Sequence, residues 1–170
     1  MTVQLRDYQQ KWIADIRASF AAGNRATLGV LPTGGGKTLG FSYISAGIYR
    51  KNKRVWIMAH RRELLRQISE SLALFQIPHA VLSGGYHGVP NAQVLVASVF
   101  TLVNRIKHMP PPHLIIGDEA HHFTLNSSWG KIVTAFPSAK ILGVTASPAR
   151  LDGKGLGDVF NDMVMGPSVA

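Results

Sequence analysis

Thr27-Leu28-Gly29-Val30-Leu31-Pro32-Thr33-Gly34-Gly35-Gly36-Lys37-Thr38 runs from an apolar segment through three glycines to a lysine and a threonine. Behind it Leu39, Phe41, Ile44 and Ile48 recur at helical spacing. Strand, turn and helix in that order are the context a phosphate-cradling loop requires. Without a Cβ, glycines let the backbone wrap an anion closely and aim its N–H groups inward, and the helix N-terminus beyond adds its positive dipole end. In such a loop Pro32, Thr33, Gly34, Gly35 and Gly36 line the phosphates, Lys37 reaches the terminal ones as a point charge, and the Thr38 hydroxyl ligates magnesium. The strict pattern has an earlier glycine where this chain has Leu31, so the short motif is only moderately specific by itself.

Leu114, Ile115, Ile116 and Gly117 form a second continuous apolar run, as a buried parallel strand should, and end in Asp118-Glu119. Asp118 is then placed to hold magnesium through its water shell, and Glu119 to orient or deprotonate the attacking water. An acidic turn after a core strand would also account for this pair taken alone. With Gly36-Lys37-Thr38 upstream the roles interlock, and ATP with Mg2+ becomes the expected ligand set.

The 170 residues suit one domain that buries roughly two-thirds of its unfolded surface. No cysteine is present, which excludes disulfides and thiolate metal sites. The longest good apolar run, Val94 to Val103, falls short of the roughly 18 residues a spanning helix needs, and the polar opening with Arg6-Asp7 is no secretory signal. The cytoplasm is the expected compartment. The formal charge of +9 is unevenly spread: between Asp15 and Asp118 only Glu63 and Glu70 face twelve Lys and Arg residues. Such a field favours a polyanion. Arg50, Lys51, Lys53 and Arg54 read as a solvated helix end, whereas Arg61 and Arg62 follow an apolar strand, where ligand loops sit.

Tyr8, Trp12, Ile13, Ile16 and Phe20 mark a first helix from about Asp7 to Ala22. Strands are expected at 27–31, 55–59, 80–82 and 94–97, with 114–117 and 141–144 as the last two. Helices fall between them, at about 63–75, from 98 to about 106, and near 129–136. The alternation predicts an α/β fold: a parallel sheet with helices on both faces. Ligands of such sheets sit beyond the carboxyl ends of the strands. Pro32 to Thr38, His60 to Arg62, Ser98 to Thr101, Asp118 to His121 and Thr145 to Ser147 each follow a strand, so all five are expected on one edge.

In motif order the chain resembles the first, N-terminal RecA-like P-loop domain of superfamily-two helicases, in the DEAD/DEAH-type branch found in bacteria and phages. Leu5-Arg6-Asp7-Tyr8-Gln9 is similar to the family's adenine-reading segment. That implies a role for the Gln9 amide on the base, with Arg6 or Tyr8 packed on the ring; the alternative is a helix start with Gln9 facing water. Ala59-His60-Arg61-Arg62-Glu63-Leu64 and Ala97-Ser98-Val99-Phe100-Thr101-Leu102 resemble the segments that touch the nucleic-acid backbone. The likeness assigns His60, Arg61, Arg62, Ser98 and Thr101 to phosphates of DNA or RNA, which fixes register without reading sequence. Ser98 and Thr101 equally suit helix caps. Thr145-Ala146-Ser147-Pro148 with Arg150 is similar to the motif linking hydrolysis to domain movement, with Thr145 and Ser147 bonded toward His121. His121 is then a coupling residue of the catalytic set. His121-His122 is not read as a zinc site, because neighbouring side chains diverge and no further ligand stands at metal-site spacing.

The resemblance implies that residues 1–170 are a single RecA-like ATP-binding domain, and that a second one donates arginine fingers to its nucleotide. Such a finger is worth about a thousand- to a hundred-thousand-fold in rate. This chain stops shortly after Gly166-Pro167, so it is expected to bind nucleotide and hydrolyse it poorly. Two other functions fit the motifs less well: a nucleic-acid-binding module with a vestigial nucleotide site, and a small P-loop kinase. The kinase would need arginines in a lid after the acidic strand.

Overall fold

The computed structural model describes residues 4–32, 36–84, 92–120, 127–146 and 160–166. In chain order the elements are α1 (Asp7–Ala21), β1 (Ala26–Val30), α2 (Lys37–Arg50), β2 (Val55–Ala59), α3 (Arg62–Leu74), β3 (Ala80–Leu82) and β4 (Val94–Ser98). Then come α4 (Val99–Leu102), a 3-10 turn (Ile106–His108), β5 (Leu114–Asp118), α5 (Ser128–Ala135), β6 (Lys140–Thr145) and β7 (Asp162–Met165). All seven strands pair in parallel, in the order β3-β4-β2-β5-β6-β1-β7.

β1, β2 and β5 are buried at every position, as strands covered on both sides must be. One face carries α1, α2 and α3 over a core that includes Trp12, Ile16, Phe41, Ile57, Ile68 and Ile116. The other carries α4 and α5 over Trp56, Met58, Leu95, Ile115 and Trp129. Trp12 is the joint between α1 and its neighbours. A Cβ on Gly29 of β1 would lie 2.7 Å from the indole, and one on Gly40 of α2 2.6 Å away, so only glycines let the ring lie in that slot.

Two sequence expectations change. Strands 114–117 and 141–144 are not the last two: β7 follows and pairs with β1, from Thr27 opposite Asp162 to Val30 opposite Met165. The helix expected to run to about Ile106 stops at Leu102, and a separate 3-10 turn begins at Ile106. No helix of the described residues is long and apolar enough to cross a membrane.

Candidate nucleotide and nucleic-acid site

Strand order decides which loops meet. β5 and β1 are separated only by β6, about 10 Å across the sheet at the usual strand spacing. A lysine starting beyond β1 can therefore reach a carboxylate at the end of β5. Lys37, the first residue of α2, places Nζ 2.7 Å from Asp118 Oδ1 and 3.5 Å from Glu119 Oε1. Asp118 is 1% exposed and Glu119 28%. Thr145 ends β6 between them, fully buried, and its carbonyl accepts the N–H of Leu31 at 3.1 Å.

Backbone geometry around this pair departs from the ordinary at two points. Gly36 is left-handed at φ 79°, and its Cβ, if it had one, would sit 2.2 Å from Gln9 Nε2. Glu119 also takes a positive φ, 58°, a conformation that costs a non-glycine residue about 1–2 kcal/mol. The turn at Glu119 lets its own N–H donate to Asp118 Oδ1 at 2.9 Å. Lys37 Nζ and the Glu119 N–H therefore both donate to the same carboxylate oxygen, Asp118 Oδ1. A buried carboxylate bonded to Lys37, and a helix N-terminus that opens Gly36-Lys37-Thr38, fit a magnesium-bound polyphosphate.

Gln9 is buried, not facing water. Its Oε1 accepts the N–H of Arg6 at 2.8 Å, and its Nε2 donates to the carbonyl of Gly36 at 3.3 Å, tying α1 to the loop. Arg6 is exposed and Tyr8 half-buried beside it. Gly36→Ala is expected to force a strained φ and push this amide aside, lowering stability by about 1–2 kcal/mol in a denaturant titration. An unchanged midpoint would show that the left-handed turn is not held.

Further along the same edge, Ala59 pairs with Ser98 in register, so the segments leaving β2 and β4 emerge side by side. His60 is half-buried and Arg61 and Arg62 are exposed at the start of α3. Arg66, one turn on and not among the sequence candidates, lines with Arg62 a recess of about 290 Å³. Ser98 occupies the N-cap position of α4 but makes no side-chain cap bond, so its hydroxyl is not consumed in capping. Thr101 is half-buried on the same turn. Thr33, Gly34, Gly35, His121, His122, Ser147 and Arg150 lie outside the described residues.

Comparison with known proteins places the chain in a family and a fold. The family model described as "Type III restriction enzyme, res subunit" matches residues 2–150. A 51.5 kDa protein of a Lactococcus phage is 34% identical over 138 residues, covering 81% of this chain and 28% of its own length. The Saccharomyces cerevisiae protein named "Putative ATP-dependent helicase IRC3" is 32% identical over 177 residues, covering 94% and 26%. Among solved structures, the Hef helicase domain of Pyrococcus furiosus superposes with a TM-score of 0.77 at 27% identity, over 95% of this chain and 38% of that one. The chain spans under a third of the curated relatives it matches. By that family match and fold, the chain belongs to the Type III restriction enzyme res-subunit family, within the N-terminal RecA-like domains of superfamily-two helicases.

Proposed function

We propose that this chain is the ATP-binding motor half of a nucleic-acid helicase or translocase that couples Mg-ATP hydrolysis to movement on DNA or RNA. One observation carries the reading: Lys37 and Asp118, 81 positions apart, meet at 2.7 Å at the carboxyl edge of the sheet. In this reading Pro32 to Gly36 wrap the phosphates, and Lys37 exchanges its carboxylate partners for the terminal phosphate oxygens. Thr38 and, largely through water, Asp118 would hold magnesium, which would supply positive charge against the charge developing on the transferred phosphoryl group. Glu119 orients the attacking water, His121 with Thr145 and Ser147 conveys the outcome to the nucleic-acid segments, and Arg6 with Gln9 holds the base. A second RecA-like domain would complete the site with an arginine, so this chain alone hydrolyses ATP slowly.

The test is a titration of the chain with a fluorescent ATP analogue and magnesium, repeated with a nucleic-acid ligand present. Saturable binding that shifts nucleic-acid affinity supports a motor. Binding to nucleic acid that ignores ATP supports the plain binding module, and no saturable nucleotide binding removes the proposal.

Arg61→Ala and Arg62→Ala are each expected to weaken nucleic-acid binding evenly across sequences. Each should also reduce the slope of log affinity against log salt by about one. An unaltered slope would take these guanidinium groups off the phosphate track.

A further inference from the structure

Phe100 stands out on the edge assigned above to nucleic acid. Val99 and Leu102 are the buried residues of α4, and that helical phase turns Phe100 outward, leaving it 56% exposed. A single exposed apolar side chain is ordinary on a protein surface. This one is oriented: its ring meets that of His60 edge-on, with centroids 5.4 Å apart and planes at 71°. The register of Ala59 with Ser98 brings the two rings together, because each follows its strand by one or two residues. Exposed Arg61 and Arg62 continue directly from His60, and Glu63 is the nearest acid along this part of the chain. A flat, solvent-facing ring held against the residue from which two exposed arginines continue is the makeup of a stacking platform for single strands. Arginines track the backbone there while an aromatic face takes a base.

We infer that Phe100 stacks on an unpaired base, so that this interface engages single-stranded nucleic acid, or a strand with a splayed base, in preference to intact duplex. The inference rests on the nucleic-acid reading above and adds the state of the strand to it. In a duplex the bases are occupied with one another and present only edges in the grooves, so an outward phenyl ring gains nothing from them. An unpaired base offers a whole face, and every base has one, so the contact discriminates strand state and not sequence.

The experiment measures Kd for a thymidine oligomer and for a blunt duplex of equal length, at one salt concentration, with the wild-type chain and with Phe100→Ala, Phe100→Leu and Phe100→Trp. Phe100→Ala and Phe100→Leu should weaken single-strand binding about 5- to 100-fold while duplex binding stays within twofold. Phe100→Trp should keep or improve it, and the salt slope should not move in any of the three. Equal loss on both forms of nucleic acid, or single-strand affinity kept in Phe100→Leu, overturns the inference. Thermal melting and Mg-ATP binding serve as internal controls, because Phe100 is exposed and lies on a different loop from Lys37. A fall in melting temperature accompanying the affinity loss would mean packing, and would also overturn it. Failure of the wild-type chain to bind either nucleic acid would instead remove the parent reading.

Discussion

Lys37→Ala is expected to abolish saturable Mg-ATP binding and to lower any hydrolysis by at least a hundredfold, as loss of a preorganised charge at a phosphoryl site does. The same substitution should also loosen the fold. Asp118 is 1% exposed, and removing the ammonium takes away the opposite charge that its Oδ1 faces at 2.7 Å. A buried carboxylate left short of a partner costs about 1–3 kcal/mol. Adding Asp118→Asn to Lys37→Ala removes the stranded charge and should return part of that stability without restoring nucleotide binding. Denaturant midpoints and a nucleotide titration on the two single variants and the double variant separate the effects. If Lys37→Ala binds Mg-ATP as the wild type does, the proposed site is wrong. If it is as stable as wild type, the ion pair is not what holds Asp118.

Trp12→Ala should produce the largest loss of stability, about 3–5 kcal/mol, as removal of a fully buried tryptophan generally does. Total stability of a domain is typically only about 5–15 kcal/mol, so the variant would be near unfolding at moderate urea. The indole lies in a slot cut by Gly29 and Gly40, neither of which has a side chain to fill the space it would leave. A functional effect should accompany this. α1 carries Gln9, whose amide is bonded to Gly36, so a loosened α1 should blunt discrimination between ATP and GTP before the protein unfolds. Trp12→Phe, which refills most of the slot, should keep both. A loss under 1 kcal/mol for Trp12→Ala would show that α1 is not anchored through this ring.

Why so much of this fold is readable from its residues comes down to burial on both faces. Val55 to Ala59 and Leu114 to Gly117 fall where the apolar runs place them, because a covered parallel strand needs continuous apolar sequence and tolerates little else. β7 breaks that rule. Asp162-Met163-Val164-Met165 buries only Val164 and lies at the sheet edge, so its sequence carries almost no apolar run to detect. At the site, the meeting of Lys37 with Asp118 is legible because both follow strands of one parallel sheet, which sends their loops to a common edge. The insertion of β6 between β1 and β5 is not, since strand order is a long-range property that no local pattern encodes. Nor is the double tie of Gln9, which depends on where α1 docks, or the outward Phe100, whose phase is set by burial of Val99 and Leu102.

The left-handed backbone of Glu119 carries a lesson for anyone seeking a sturdier version of this chain. Glycine would sit in that conformation at ease, so a screen that rewards heat resistance alone should drift toward it there. The winner would melt later and lack the carboxylate assigned to the attacking water. Tension in the main chain and the proposed work of the side chain share one residue, and relaxing the first forfeits the second.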